Sequence, residues 1–289
     1  MDILVNTQWL ADNLDRDDLI VLDASAHLPA AGRDAQAEYR QQHIPGARYF
    51  NLPTLKDEQS PVPAALPIAD QFGERLRAVG VRQDDRVVLY DDSILRSSAR
   101  AFFMFQMFDF RNVALLDGGL GKWQSDGLPV KQGQSGCTPG DFQPSAHIRG
   151  NNPNNITTSV RSKAEMLANC NSCEEQVVDA RDAGRFTGAE EDTTHGLSGG
   201  HIPGARNLFF RDLLQKDGTF KDAETMRELF AAAGLDLSRP ITASCGSGMT
   251  ASVILFALQL LGRQGALYDG SWSEWGADPA TPKEIGQAR

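Results

Sequence analysis

His43-Ile44-Pro45-Gly46-Ala47-Arg48 returns letter for letter as His201-Ile202-Pro203-Gly204-Ala205-Arg206. Two further matches keep the same order around this pair. Val21-Leu22-Asp23-Ala24 recurs as Val177-Val178-Asp179-Ala180, and Leu116-Asp117-Gly118-Gly119 with Trp123 recurs as Tyr268-Asp269-Gly270-Ser271 with Trp275. The offsets run only from 152 residues (Leu116 to Tyr268) to 158 (His43 to His201). Three matches in one order at nearly one spacing mean a duplicated domain, and the period is too long for a solenoid repeat.

Each copy carries the same rhythm. Short apolar runs at Leu19–Leu22, Val87–Tyr90 and Val113–Leu116 are answered by Val177–Val178, Ile241–Ala243 and Ala266–Tyr268. Apolar runs without polar alternation suit strands covered on both faces. Helical patterns lie between them, at Ala69–Val79, Ser97–Phe108, Ala223–Ala233 and Ser252–Leu261. This alternation predicts parallel sheets with crossover helices, hence an α/β fold in two tandem domains, each a parallel sheet flanked by helices. The sequence places the first domain at residues 1–134 and the second at 159–289. Residues 135–158, rich in Gly, Pro, Asn and Ser, read as a linker lying over the surface.

Composition narrows the function classes. The chain has 289 residues, 41% of them hydrophobic, enough for two ordinary cores. A formal net charge of -10 and the lack of any Lys/Arg run argue against nucleic acid as a partner. There is no apolar run of the ~18 residues that a spanning helix needs, and no charged-then-apolar leader at Met1-Asp2-Ile3. The expectation is a cytoplasmic protein that does not engage a membrane. Four cysteines, Cys137, Cys170, Cys173 and Cys245, are too few for a disulfide framework in a chain of this length. Cys170-Asn171-Ser172-Cys173 has CxxC spacing, but it precedes a strand pattern and no second Cys/His pair completes a zinc site. Neither a metal nor a cofactor is expected.

Cys245 is different. Ile241-Thr242-Ala243-Ser244 ends a buried strand, Gly246 and Gly248 permit a tightly curled backbone, and Thr250 opens a helix. A strand-to-helix loop of this kind turns several backbone N–H groups inward, and the helix end adds partial positive charge. Both favour a thiolate, which is the nucleophilic form, and later an anionic persulfide. A cysteine buried only for packing needs no curled, polar loop. Aligning Arg86 with Arg239 sets Asp92 opposite Cys245, so the first domain keeps the scaffold without the nucleophile. Its expected role is to pack against the second domain and wall one side of a cleft.

With these residues in view, the chain resembles tandem-domain rhodanese-type sulfurtransferases over nearly its whole length. Cys245-Gly246-Ser247-Gly248-Met249-Thr250 is similar to the CGSG[VM]T loop of 3-mercaptopyruvate sulfurtransferases. Thiosulfate sulfurtransferases instead carry charged residues at the second and third loop positions, where Gly246 and Ser247 stand here. The HIPGA and YDGSWSEWG stretches at 201–205 and 268–276 match family signatures of a structural kind. His43 and His201 are accordingly expected to make structural hydrogen bonds in the loop before a strand.

The resemblance implies a two-step reaction. The Cys245 thiolate takes sulfur from 3-mercaptopyruvate and pyruvate leaves. The persulfide then yields its outer sulfur to a thiol or to cyanide, with ping-pong kinetics. Loop N–H groups would stabilise both anions. Thioredoxin-like proteins are among the candidate thiol acceptors. Arg185 matches the family's first carboxylate-binding arginine, and a guanidinium can hold a carboxylate with two parallel bonds. Ser247 would hydrogen-bond the substrate or polarise its keto oxygen. Three positions depart from the family pattern: Thr194 replaces a second arginine, Ala64 a histidine, and Pro53 falls near the acidic residue paired with that histidine. His195, after Thr194, reads as a solvated loop residue with a conditional positive charge, since free imidazole titrates near ~6.5. Arg96 and Arg100 are alternative carboxylate holders.

Two other readings stay open: a thiosulfate sulfurtransferase, and a sulfur-carrying or partner-binding module with little turnover. A phosphatase of the C-x5-R kind needs an arginine where Ala251 stands.

Overall fold

The computed structural model describes residues 1–144 and 159–288, and residues 145–158 of the expected linker lie outside that range. The described chain forms two compact units. One contains residues 1–57, 66–144 and 215–220, and the other residues 58–65, 159–214 and 221–288.

The first unit has strands β1 (Leu4–Val5), β2 (Leu19–Asp23), β3 (Arg48–Tyr49), β4 (Arg86–Tyr90) and β5 (Val113–Leu116). They form one parallel sheet in the order β1-β5-β4-β2-β3. Its helices are α1 (Thr7–Ala11), α2 (Ala35–Gln41), α3 (Ala69–Ala78), α4 (Ser98–Met107) and α5 (Gly119–Ser125). The second unit has β6 (Val160–Arg161), β7 (Gln176–Asp179), β8 (Arg206–Asn207), β9 (Ile241–Ser244) and β10 (Ala266–Tyr268). These pair in parallel in the order β6-β10-β9-β7-β8, which is the first sheet's order copy for copy. Helices α6 (Lys163–Ser172), α7 (Ala183–Thr187), α8 (Ala223–Ala232), α9 (Ala251–Leu260) and α10 (Ser271–Trp275) complete it. Among the described residues no helix is long and apolar enough to cross a membrane.

Every apolar run expected to be a strand is one, because parallel strands covered on both faces need apolar side chains in both directions. The edge strands β1, β3, β6 and β8 were not legible. Each has two residues, mostly half-buried, too short for any period to register. The repeated HIPGAR stretch is the turn that feeds two of them. His43 Nδ1 lies 2.8 Å from the Tyr39 carbonyl and His201 Nδ1 lies 2.9 Å from the Phe186 carbonyl, both rings buried just before β3 and β8. These are the structural bonds expected of them. Residues 135–144 do not stand apart from the first unit. Phe142 is buried edge-on to Phe72 and Phe110, with ring centroids 6.2 and 5.4 Å away, and the Ser135 N–H donates to the Tyr39 hydroxyl at 3.2 Å.

Helices α4 and α9 follow the central strands β4 and β9 and are buried nearly all round; Ala251 to Leu258 are all covered. An all-apolar helix must sit inside the unit, so its N-terminus is carried inward with it. This brings the strand-to-helix loops to the carboxyl ends of the central strands, where open α/β sheets place their ligands.

The two copies differ in charge at the end of one strand. Asp179 of β7 has Arg181 against it, whereas Asp23 of β2 has Ser25 in the matching place. Burial pushes the Asp23 carboxyl up to about 6, although Ser25 and Tyr90 hydrogen-bond it. A carboxyl raised on folding stabilises fully below about pH 4, and that stability is lost as pH rises through about 6. Asp23→Asn is therefore expected to raise stability at pH 8 by roughly 2 kcal/mol, a few degrees in Tm, and by much less near pH 4. Thermal unfolding at both pH values checks this; equal shifts would mean that Asp23 is not the titrating group.

Candidate active site

Cys245 follows β9 directly and is buried, with about 2% of its surface exposed. Gly248 has φ +77°, the left-handed conformation that lets the loop curl back before Thr250 and α9. Among the described residues, the N–H groups of Gly246, Ser247, Met249 and Thr250 donate to no protein acceptor. Uncapped N–H groups ahead of a buried helix form a natural anion cradle. Ser247 is half-buried, and its hydroxyl likewise has no protein partner among the described residues.

The loop's shape is held by a residue that the sequence reading treated only as part of a structural signature. Ser271 Oγ accepts the N–H groups of Cys245 and Gly248, each at 3.1 Å, and donates to the Tyr268 carbonyl at 2.9 Å. One hydroxyl thus uses its donor and both acceptor sites. Ser271 has φ +49°, a left-handed conformation rare outside glycine, and the matching residue of the first unit, Gly119, has φ +61°. The next two N–H groups, of Trp272 and Ser273, donate to the Cys245 and Gly246 carbonyls at 2.9 and 2.8 Å. Two of the loop's N–H groups therefore serve the loop's own shape rather than the sulfur. The repeated Asp-Gly-Gly/Ser was a visible signal, but its bridging role depends on two strands' ends meeting.

Strand register corrects one expectation. Asp23 pairs with Tyr90 and Asp179 pairs with Ser244, so the residue opposite Cys245 is Asp91, not Asp92. The Leu120 N–H donates to the Asp91 carbonyl as that of Trp272 does to Cys245. The register also makes Arg86 the equivalent of Pro240 rather than of Arg239, so an alignment anchored on the two arginines runs one residue out of step. Asp92 instead pairs with Arg33 at 2.9 Å near the surface. The Asp91 carboxylate is buried and accepts the N–H groups of Ser93 and Ser98, each at 2.9 Å. The same loop architecture thus holds an anion in the first unit, at the place where the second unit has its thiol.

A charged cluster adjoins Gly246. Arg181 is 1% exposed and donates to Asp179 Oδ2 at 2.7 Å and to the Gly200 carbonyl at 2.6 Å. Its Nη1 lies 3.5 Å from Asp192 Oδ2, and its guanidinium stands 4.6 Å from the Trp272 ring centroid. Burial alone would lower the Arg181 pKa; the Asp179 carboxylate foremost, with Asp192 and Cys245, raises it instead. Asp192 is fully buried, yet His195, Arg185 and Arg181 outweigh burial and hold its carboxyl below the usual range.

His195 does not behave as a solvated loop residue. Its side chain is 17% exposed, and its Nδ1 lies 2.9 Å from Asp192 Oδ1. The tight turn closed by the Leu197 N–H to Asp192 carbonyl bond, with Gly196 at φ +66°, folds the ring back over the Cys245 loop. A Cβ built on Gly246 would stand 2.3 Å from His195 Cε1 and 3.1 Å from each ring nitrogen. Gly246 is therefore glycine for space. Asp192 and Arg181 were missed as well, because a three-residue turn spacing means nothing until the chain closes.

Arg185 lies on α7, whose N-cap Asp182 accepts the Arg185 N–H at 3.0 Å and holds its Nε at 2.6 Å. Its Nη1 is 3.7 Å from Asp192, so the guanidinium is aimed by two carboxylates and joins the same cluster. Cys245, the loop and Arg185 thus fall within one unit. Ala64 is also in that unit, within residues 58–65, whereas Pro53, Arg96 and Arg100 belong to the first. Arg96 packs on Gly218 there, at a site where a Cβ would meet its Nη2, and Arg100 is buried.

Comparison with known proteins agrees with this architecture. The family model for the rhodanese-like domain matches residues 6–126 and again 162–278. The mouse protein named 3-mercaptopyruvate sulfurtransferase is 39% identical over 94% of this chain and 91% of its own length. The chicken thiosulfate sulfurtransferase is 38% identical over 94% and 92%. The crystal structure of SseA from Escherichia coli, described among 3-mercaptopyruvate sulfotransferases, superposes with a TM-score of 0.83 at 33% identity, covering 94% of this chain and 99% of that one.

Proposed function

The chain belongs to the rhodanese family, and from that premise we propose that it is a sulfurtransferase carrying sulfur as a persulfide on Cys245. The observation that bears most weight is the pair of matching loops. One cradles the Asp91 carboxylate with backbone N–H groups, and the other has Cys245 at that place with N–H groups to give. A loop built to hold an anion stabilises the Cys245 thiolate before attack and again when it leaves after the sulfur is passed on.

The donor is 3-mercaptopyruvate. Uncharged Gly246 and Ser247 leave the loop without the cations that a dianionic thiosulfate would favour, and His195 leaves no room for a side chain at position 246. Arg185, held by Asp182 and Asp192, takes the substrate carboxylate, and Ser247 hydrogen-bonds its keto oxygen. Gly248, Met249 and Thr250 shape the rest of the loop. Small thiols, cyanide and thioredoxin-like dithiols accept the sulfur. The first domain, residues 1–134, has no nucleophile at the matching place and takes no part in the chemistry. The site requires a reduced thiol, and the four cysteines are all free, which fits a reducing cytoplasm. Thiosulfate is the second donor to weigh, because a relative named for it is 38% identical to this chain against 39% for one named for 3-mercaptopyruvate.

Steady-state rates with each donor, cyanide as acceptor, test the assignment. The expected result is the larger kcat/KM with 3-mercaptopyruvate and one added sulfur on Cys245 by peptide mass analysis. Dominant thiosulfate turnover would overturn the donor. Sulfur on Cys170 or Cys173, or no transfer from either donor, would overturn the site.

A further inference from the structure

We propose that His195, held by Asp192 against Gly246, is the acid–base residue of this reaction, protonating the departing carbon and then deprotonating the acceptor thiol. The inference rests on the reading of Cys245 as the sulfur carrier. Its basis is the ring's placement: the Cε1 edge faces Gly246, the residue after the nucleophile, closely enough that no Cβ fits between. Nδ1 is occupied by Asp192, which is fully buried and ionised, so it fixes both the tautomer and the orientation of the ring. Nε2 has no protein partner among the described residues, on a side chain that is only 17% exposed. A histidine set against the residue that follows the nucleophile, with a buried carboxylate behind the ring, is placed where an acid–base group of a covalent mechanism would stand.

Such a group closes the proton balance of both half-reactions. The Cys245 thiolate attacks the thiol sulfur of 3-mercaptopyruvate, the S–S bond forms, and the C–S bond breaks with its electron pair passing to carbon. The product is the enolate of pyruvate, which needs one proton. Imidazolium His195 supplies it, leaving Cys245 as the neutral persulfide, pyruvate, and neutral His195. In the second half, neutral His195 removes the proton of an acceptor thiol. The resulting thiolate attacks the outer sulfur, and the Cys245 thiolate leaves with the bonding pair. The acceptor departs as a persulfide, and the thiolate–imidazolium pair is restored. No oxidant or reductant is consumed. The carboxylate against His195 is Asp192 on its own turn, and Arg185 and Arg181 in turn lie 3.7 and 3.5 Å from Asp192.

Thiosulfate separates this role from a structural one, because its leaving group, sulfite, is a stable anion that needs no proton at carbon. His195→Asn keeps a donor for Asp192 and removes the acid. Single-turnover loading of Cys245, followed by peptide mass and by pyruvate release, is measured in the unaltered protein and the variant with each donor in excess. Loading from 3-mercaptopyruvate is expected to fall by about 10²-fold or more, while the loading rate from thiosulfate changes by less than about threefold. Equal losses with both donors, no loss with 3-mercaptopyruvate, or an effect confined to KM would overturn the proposal. If neither donor loads Cys245 in the unaltered protein, the sulfurtransferase reading itself falls, and this inference falls with it.

Discussion

Cys245→Ser is expected to abolish sulfur transfer from either donor while leaving the fold intact. Serine keeps the backbone and nearly the same volume, so the two N–H bonds to Ser271 and the carbonyl bond from Trp272 persist. Removed is the polarisable anion that can attack divalent sulfur, and a hydroxyl at neutral pH does not replace it. Loss of a covalent nucleophile registers on the scale of roughly 10⁴-fold or more in kcat. The stability change should stay within about 1 kcal/mol, since a serine hydroxyl at a buried site ringed with N–H donors finds partners. Turnover and thermal unfolding on the same preparation check both halves. Residual turnover above a hundredth of the original would relocate the sulfur, with half-buried Cys170 and exposed Cys173 the first place to look.

Arg181→Met should act on the fold before it acts on chemistry. The guanidinium is 1% exposed and lies between two buried carboxylates, Asp179 and Asp192. Methionine fills much of the volume beside Trp272, but it leaves the buried Asp179 without its cation and takes one of the positive neighbours from Asp192. Breaking a buried pair on one side costs about 3–5 kcal/mol, a large fraction of the 5–15 kcal/mol by which an ordinary domain is stable. The sign with pH is determined. An unpaired buried carboxyl has its folded pKa raised, so its stability is present at low pH and lost as pH rises through that value. The deficit should therefore be larger at pH 8 than at pH 5, read as Tm against pH for both proteins. A pH-independent deficit would assign the loss to packing on Trp272 rather than to charge. Because Asp192 also aims His195 and Arg185, the variant that remains folded should transfer sulfur more slowly as well.

How much was legible in the sequence follows from how far each signal acts along the chain. The duplication, the parallel strands and the buried α9 were visible because apolar periodicity is local and repeats within each copy. Cys245 was visible because its glycines and its strand-to-helix position occupy adjacent residues. The edge strands were not, since two half-buried residues make no pattern and exist only through a neighbour's hydrogen bonds. Asp91 was displaced by one position because Arg86 is the structural equivalent of Pro240 and not of Arg239, which is silent until strand register is known.

The sequence by itself determined a doubled α/β chain with a thiol, Cys245, in a glycine-rich strand-to-helix loop. Only tertiary structure decided what surrounds that thiol. Ser271 is 26 positions along the chain from Cys245, yet it holds two of the loop's N–H groups. His195 reaches Gly246 from a turn on the far side of β8, and Asp192 and Arg181 meet beneath it. Hydrogen bonds and ion pairs act over a few ångströms of space, and no spacing along the chain reports that distance until the sheet has brought the segments together.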